Sequence, residues 1–546
     1  MVFARELRQK SAGASRLPLA ILLFTLLAFV VLALPDTLEA ITARAFLRLP
    51  IELPLMALAM LVLPVRWARR VAILLALLLC LVLFLKLADI GTQAAFQRSF
   101  NPYLDGKMLA DGWNLVSRSV GIVPAGLAVA ALLLVFVLLL SAFFWSLRRI
   151  AGAAGPVRGR LVAAFAAITV IGMGLSLLQP GGMRLAGADA AGYLFARADL
   201  VSRSVVDMRA FEAELAKGDG VADGRGLFQA VQGRDVVLVF VESYGRSAVE
   251  DPRYAGTTGP RLASIQQRLE AVGMASASGW LRSPTVGGLS WLAHGTFLSG
   301  LWIDSQPRYD RLMTSDRPTL NRLFTEAGWR SVAVMPAITL AWPESAYFGY
   351  DQVFASADLG YRGKPYNWIT MPDQYTLSAF ERLARRPQRT AGGPVMAEIA
   401  LISSHAPWTP VAAMVGWDQV GDGTIFNAQA ESGDPPAVVW ADPERVRRQY
   451  IATIDYSLEA LGDYMARFGR DAVFIVLGDH QPAAIVTGQN ASRDVPIHIV
   501  SADKGLIARF QATGFSAGML PDPRAAERPM SDMRGLLIEL LGGAPQ

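Results

Sequence analysis

Apolar positions crowd into the first third of the chain, in runs at Leu17–Leu34, Ile51–Val65, Val71–Leu87, Ile122–Trp145 and Leu161–Leu178. A hydrocarbon core takes about 20 apolar residues in helical form, so the pattern predicts five membrane helices. The second is the weakest, because Pro54 and Pro64 interrupt it. No small-residue cleavage site follows the first run and four more runs do, so it reads as a retained helix rather than a leader. The flanking charges set the orientation. Segments on the N-terminal side carry eleven basic residues, Arg5, Arg8, Lys10, Arg16, Arg66, Arg69, Arg70, Arg148, Arg149, Arg158 and Arg160. The opposite loops carry five, Arg44, Arg48, Arg98, Lys107 and Arg118. The positive-inside rule then places the N-terminus in the cytoplasm and everything beyond Leu178 outside the plasma membrane. Lys86 is expected to snorkel or to pair with Asp89, with a lipid phosphate as the alternative partner. The stretch Ala88–Gly121 mixes Phe96, Phe100, Tyr103, Trp113 and Leu115 with charges and reads as amphipathic.

After these runs the pattern changes. Ala190–Lys217 is helical and charged, and Gly218, Gly220, Gly224 and Gly226 mark a linker. From Asp235 on, short β-rich runs at Val236–Val241, Ser331–Met335, Ile399–Ser403, Ala472–Leu477 and Val495–Val500 alternate with helical segments at Arg261–Val272, Thr319–Ala327, Tyr375–Ala384 and Arg445–Phe468. Near-continuous apolar strands separated by helices predict an α/β domain, a largely parallel sheet with helices on both faces. The expected organisation is a membrane region over 1–180, a helical linker over 181–233 and an extracytoplasmic domain over 234–546, with 414–442 as a long inserted loop.

Composition narrows the function classes. Of the 546 residues 53% are hydrophobic and 18% charged, which suits a membrane protein and excludes disorder. A formal charge of +5 is too small and dispersed for a nucleic-acid binder. The single cysteine, Cys80, excludes an internal disulfide and a cysteine zinc cluster.

In parallel sheets ligands bind beyond the carboxyl ends of the strands. One strand run is followed at once by Glu242 in VFVESYG, another by Gly478, Asp479 and His480, and a third by Ser403, Ser404 and His405. Glu242, Asp479 and His480 would supply three ligands for a divalent cation, with Gly478 allowing close backbone approach. The missing ligand would be a hydroxyl, and SPTVGGLSWLAHGTFLSG offers Ser283, Thr285, Ser290 and Thr296. Thr285 follows Pro284 and precedes a segment of helical pattern, an N-cap position where free N–H groups favour a bound phosphate or alkoxide. His294 and His498 read as packing residues. No GxSxG elbow and no GxxxxGK loop occurs, against a serine hydrolase of that type and a P-loop nucleotide site.

With these motifs the sequence resembles the sulfatase-like branch of the alkaline phosphatase superfamily. Within it, the nearest likeness is to membrane-anchored lipoteichoic acid synthase and the phosphoglycerol transferases of periplasmic glucan synthesis. The resemblance spans nearly the whole chain. TVGGLSW is similar to the nucleophile segment, implying Thr285 as nucleophile and metal ligand. VFVESYG and GDHQPA imply Glu242, Asp479 and His480 as metal ligands, and SSHAPW implies His405 beside the phosphoryl group. The family's tryptophan and arginine that hold the glycerol phosphate have no clear counterpart: WPESAYFGYD offers Trp342 as a substrate contact, with only Glu344 nearby. The likeness implies manganese or magnesium, with zinc as an option, and a phosphoglycerol-type group passing from a phospholipid donor to an envelope glycan or lipid acceptor through a phospho-threonine. Two other readings stand beside it. One is a phosphodiesterase or sulfate-ester hydrolase on the same site, and the other is an inactive membrane sensor that binds a glycan or lipid head group. No cysteine lies in the nucleophile segment, against formylglycine chemistry, and the lone Cys80 is unlike the disulfide-rich phosphoethanolamine transferases.

The loop charges make a direct prediction. Reporter fusions after Leu178 should be active outside the cytoplasm, and fusions after Trp67 inside it. A cytoplasmic reporter that is active at Gly220 would sink the five-crossing topology.

Overall fold

A computed structural model describes residues 16–542, apart from 108–111, 114–115, 118–120, 179–183, 219 and 222. Arg5, Arg8, Lys10, Leu115 and Arg118, used above for orientation and amphipathicity, lie outside the described residues. The chain forms two compact units that part after Asp207, with Ala95–Gln97 grouped with the second.

The first unit is helical. Its helices are α1 (Leu17–Ala33), α2 (Glu52–Val62), α3 (Val65–Phe96), α4 (Ile122–Ala151) and α5 (Gly155–Ser176), followed by α6 (Asp189–Lys217), which runs past the division. Among the described residues three helices, Arg66–Phe96, Ile122–Ala151 and Gly155–Ser176, are long and apolar enough to cross a membrane. The first two runs give shorter apolar helices of 17 and 11 residues. Pro54 falls in the first turn of α2, where no intrahelical N–H is lost, whereas Pro64 forces Leu63 extended and separates α2 from α3. Small buried residues, among them Ala28, Ala57, Ala72 and Ala76, let the helices approach closely around Phe24, Phe143 and Phe165. Lys86 takes neither role expected of it. Its Nζ donates to the carbonyls of Val31 (3.2 Å) and Leu32 (2.8 Å), satisfying acceptors left free at the end of α1. Asp89 instead accepts from the Phe100 N–H (2.8 Å) and the Tyr193 hydroxyl and pairs with Arg197 (2.9 Å).

The second unit is built on a nine-stranded sheet. In chain order its main elements are β1 (Asp235–Val241), α7 (Ala255–Ala271), β2 (Ala275–Arg282), α8 (Ser290–Ser299), α9 (Leu320–Glu326), β3 (Arg330–Met335), β4 (Gln352–Ala355) and α10 (Asp373–Phe380). They continue with β5 (Val395–Leu401), α11 (Pro443–Phe468), β6 (Ala472–Gly478), β7 (Asp494–Ser501), α12 (Lys504–Ala512), β8 (Ser516–Ala517), β9 (Arg528–Pro529) and α13 (Asp532–Leu540). The sheet order is β8-β2-β7-β6-β1-β5-β3-β4, with β9 on β2. The run β6-β1-β5-β3-β4 is parallel throughout, and β7 enters antiparallel between β6 and β2. The sheet is therefore mostly parallel, with helices on both faces.

Central strand β1 explains why. Val237, Val239 and Val241 point into one hydrophobic cluster and Val236, Leu238 and Phe240 into the other, so both faces are buried by helices and the strand reads as unbroken apolar sequence. Helix α11 covers one face through Val446, Tyr450, Ile454, Leu458, Leu461 and Met465, at three- and four-residue spacing. It starts where Asp442 accepts the Glu444 N–H and Pro443 takes the first helical position. A strand lies at each of the five runs expected from sequence, although β5 spans Val395–Leu401 rather than Ile399–Ser403. Strand β2, ASASGWLR, was not expected, because small residues carry little strand signal. The segment 414–442 is largely loop, with short helical turns at Thr424–Phe426, Asn427–Ala430 and Pro436–Val439.

At the N-terminal end of β1, Asp235 accepts from the Val395 N–H (2.9 Å) and from Arg385 Nε (2.7 Å). Arg385 is wholly buried and also donates to Asp471 (2.6 Å) and the Phe468 carbonyl (2.6 Å). Removing the guanidinium strands a buried carboxylate, so Arg385→Leu should cost about 3–5 kcal/mol, read as a lower urea midpoint of tryptophan fluorescence. The neighbouring, largely exposed Arg386 should tolerate the same change to within about 0.5 kcal/mol. Equal midpoints for the two variants would refute the network's role.

Candidate metal centre and nucleophile

Parallel strands finish on one edge of the sheet, and three of those ends carry the charged groups. Glu242 follows β1. Its N–H donates to the Leu401 carbonyl (3.1 Å) and its carbonyl accepts from Ser404 Oγ (2.6 Å), which ties it to the end of β5. Asp479 and His480 follow β6. Asp479 Oδ1 accepts from the N–H groups of Ser243 (2.8 Å) and His480 (2.7 Å). Gly478 is required here, since a Cβ would lie 1.9 Å from the Tyr244 carbonyl oxygen. His480 Nδ1 lies 2.8 Å from the Gln481 carbonyl, so it carries the proton and Nε2 faces the carboxylates, 3.3 Å from Glu242 Oε1 and 3.6 Å from Asp479 Oδ2. One ligand atom from each of the three residues lies within 4.8 Å of the others.

The charges oppose their burial. Desolvation alone would raise Glu242, but the His480 charge and hydrogen bond, with His405 and Ser243, hold it well below the usual carboxylate range. Asp479, desolvated and beside the negative Glu242, is pushed up to about 6. Burial would lower His480, yet Asp479 and Glu242 together raise it to about 9. Two buried carboxylates and an imidazole whose Nε2 sheds its proton on binding form a donor set that fits a divalent cation, and until a cation replaces it that proton offsets part of the carboxylate charge.

Two hydroxyls reach this cluster: Ser243 Oγ donates to Glu242 Oε1 (2.8 Å), and Ser290 touches both Glu242 and His480. Ser290 Oγ donates to Glu242 Oε2 (3.1 Å) and lies 3.2 Å from His480 Nε2. The helix expected to begin at Thr285 begins at Ser290, because Gly287 (φ 75°), Gly288 (φ 150°) and Leu289 (φ 63°) hold left-handed conformations that no right-handed helix passes through. Thr285 is thus not an N-cap. It is buried, and its Oγ1 donates to the Gly288 carbonyl (2.7 Å), closing the turn that delivers Ser290. The same loop is strapped to the ligand segment, Ser283 Oγ donating to the Asp479 carbonyl (2.6 Å) and the Gly287 N–H to the Gln481 carbonyl (2.8 Å).

His405 stands beyond β5, half-buried, with Nδ1 2.5 Å from the Ala406 carbonyl, and its charge is felt at Glu242. Asp373 pins that strand end by accepting the N–H groups of Ile402 (2.8 Å) and Ser403 (3.0 Å). Trp342 packs against Phe348 and Tyr350, with ring centroids 5.9 Å from each. His294 stacks on Phe240 at 3.8 Å and bonds the buried Glu398 (2.7 Å), and His498 bridges Tyr244 (3.2 Å) and Ser278 (2.8 Å), so both are core residues.

Residues 234–496 match the family model described as Sulfatase. The C-terminal domain is a sulfatase-family domain. No curated protein matches the chain. Solved structures similar to it include the lipoteichoic acid synthase LtaP of Listeria monocytogenes, at 13% identity over 60% of this chain and 75% of that one, TM-score 0.39. Another is the zinc complex of the C-terminal periplasmic domain of EcEptC from Escherichia coli, at 13% identity over 57% and 83%, TM-score 0.38. A third is the phosphoglycerol transferase GacH of Streptococcus pyogenes with sn-glycerol-1-phosphate, at 9% identity over 61% and 89%, TM-score 0.34. The matched sulfatase segment contains Glu242, Ser290, His405, Asp479 and His480.

Cation binding to this sulfatase-type cluster should expel a proton. His480, raised to about 9, holds its proton at neutral pH, so apparent affinity for Mn²⁺ should climb about tenfold per pH unit from pH 7 and level off above 9. Below pH 6 Asp479 takes up a second proton and the dependence steepens. Calorimetry in buffers of differing ionisation enthalpy should register about one proton released at pH 7.5. Affinity that does not change between pH 7 and 9 would contradict the ligand set.

Proposed function

We propose that the protein is a membrane-anchored, metal-dependent phosphotransferase that uses Ser290, rather than Thr285, as its nucleophile. The observation that carries this is Ser290 Oγ at 3.1 Å from Glu242 Oε2 and 3.2 Å from His480 Nε2, at the N-terminus of α8. Glu242, Asp479 and His480 would hold a divalent ion, manganese or magnesium, with zinc suited to the imidazole ligand. Such an ion supplies Lewis acidity and cancels phosphate charge. With the ion lowering the pKa of its hydroxyl, Ser290 would release its proton to solvent and attack phosphorus, an O–P bond forming as the donor's ester bond breaks. His405 gives a proton to the departing alcohol. In the second half the acceptor hydroxyl loses its proton to His405 and attacks, and the Ser290 oxygen leaves and regains a proton from solvent. Free N–H groups in the first turn of α8 face the charge that builds on the phosphoryl oxygens.

The donor in this reading is a phospholipid that yields a phosphoglycerol-type group, and the acceptor an envelope glycan or lipid. Membrane helices keep such a donor within reach without its leaving the bilayer. The eleven-to-five loop charge count supports an inner-membrane protein with its N-terminus in the cytoplasm and the sulfatase-family domain outside. With water as acceptor the same groups act as a phosphodiesterase. Convergence of two acids, an imidazole and a hydroxyl speaks against an inactive sensor.

Ser290→Ala should lower turnover of labelled phosphatidylglycerol by more than about 10³-fold, with metal content retained. Thr285→Ala loses one internal hydrogen bond, about 1 kcal/mol, and should keep most activity. Trapping with donor and no acceptor should place the phospho-group on Ser290, as read by peptide mass spectrometry. An adduct on Thr285, or an active Ser290→Ala, would overturn the assignment.

A further inference from the structure

The membrane unit contains a cavity of about 500 Å³ between α1, α2, α3 and α6. Its wall is hydrocarbon, with Leu55, Leu79, Val82 and Leu194 among the lining side chains, and Glu52 is its one charged residue. Leu55 and Leu78, which both line it, are 44% and 37% exposed, so the cavity opens on the surface that faces lipid. Leu79 and Val82 stand nine and twelve residues beyond Arg70 on α3, about 14 and 18 Å along the helix. In a core about 30 Å thick those positions lie at its middle and just beyond, Leu75 lies nearer the basic cluster Arg66, Arg69 and Arg70, and Glu52 at the start of α2 marks the end away from that cluster.

The polar end is incompletely satisfied. Glu52 Oε1 accepts from the Ala190 N–H (2.8 Å), but Oε2 is buried and has no partner among the described residues. Arg48, whose Nη2 donates to Asp189 (2.9 Å), likewise has a buried Nε without one. Of the two, only Glu52 lines the cavity, at the end where the hydrocarbon wall stops. A helix is about 10–12 Å wide and would fill such a volume with about one turn, so another transmembrane segment does not fit.

We infer that this cavity holds one acyl chain of a phospholipid from the leaflet opposite the basic cluster, with a head-group hydroxyl donating to Glu52. The site goes beyond the proposed reaction: it is a lipid grip in the membrane unit, and it binds whether or not the lipid is consumed.

The test uses delipidated full-length protein in mild detergent, titrated with palmitoyl-oleoyl phosphatidylglycerol and read by native mass spectrometry. One lipid should survive activation that strips the others. Ala191→Trp, which fills the cavity from α6, should cut its retention at least tenfold, whereas Leu132→Trp on the exposed face of α4 should not. Ser290→Ala should keep the lipid, which separates this site from the chemistry. Should Ala191→Trp fail to fold, a phospholipid with an acyl diazirine, applied to the unmodified protein, should crosslink to the peptides of Leu55, Leu79 and Leu194. Equal retention in Ala191→Trp and Leu132→Trp, or crosslinks spread evenly along Ile122–Leu138, would overturn the site.

Discussion

The electrostatic standoff among Glu242, Asp479 and His480 is the constraint around which the C-terminal domain is arranged. Two carboxylates and an imidazole are removed from water together, which is tolerable only where each remaining lone pair and proton is met. Backbone supplies most of that: the N–H groups of Ser243 and His480 serve Asp479, and the Gln481 carbonyl fixes the imidazole. Those backbone groups are available because parallel strands end on one edge and turn sharply there. The left-handed Ser243 and the Cβ-free Gly478 are consequences of the same demand. The buried pair Asp235 and Arg385 settles the opposite end of β1, so the strand that leads into Glu242 is held at both ends.

Much of this was legible in sequence, for reasons that differ by element. β1, β6 and β7 are rich in branched residues and burial on both faces makes such runs continuous, while β3 and β5 showed only through the shorter apolar stretches they contain. Glu242, Asp479 and His480, the candidate metal-site residues, stood out because a charge directly after an apolar strand sits at its end. His405 was visible on the same ground. β2 hid behind serine, alanine and glycine, whose packing inside the sheet is set by neighbours rather than by their own propensity. Glu398 and its partners His294, Asn321 and Tyr350 were hidden too, since a lone carboxylate in VMAEIAL does not announce which distant side chains will meet it.

The hydroxyl shows the limit most clearly. TVGGLSW has a residue fit to cap a helix at its start and another five positions later, and periodicity does not choose between them. What chooses is the sign of φ at Gly287, Gly288 and Leu289, a property glycine permits and leucine resists. In the membrane unit the corresponding ambiguity was Pro54. A proline inside an apolar run signals interruption, yet in the first turn of α2 it costs nothing, and the break belongs to Pro64 alone.

The straps from Ser283 and Gly287 to the carbonyls of Asp479 and Gln481 bear on how the site behaves when the protein breathes. Because the loop carrying Ser290 is fastened to the ligand segment itself, the two drift as one body. Thermal motion of helices elsewhere on the sheet shifts their common position before it alters the gap between hydroxyl and imidazole. Reach toward a substrate and the internal spacing of the reacting groups are thereby uncoupled, so the surrounding loops can be remodelled for a different donor or acceptor while the hydroxyl-to-ligand distances stay as they are.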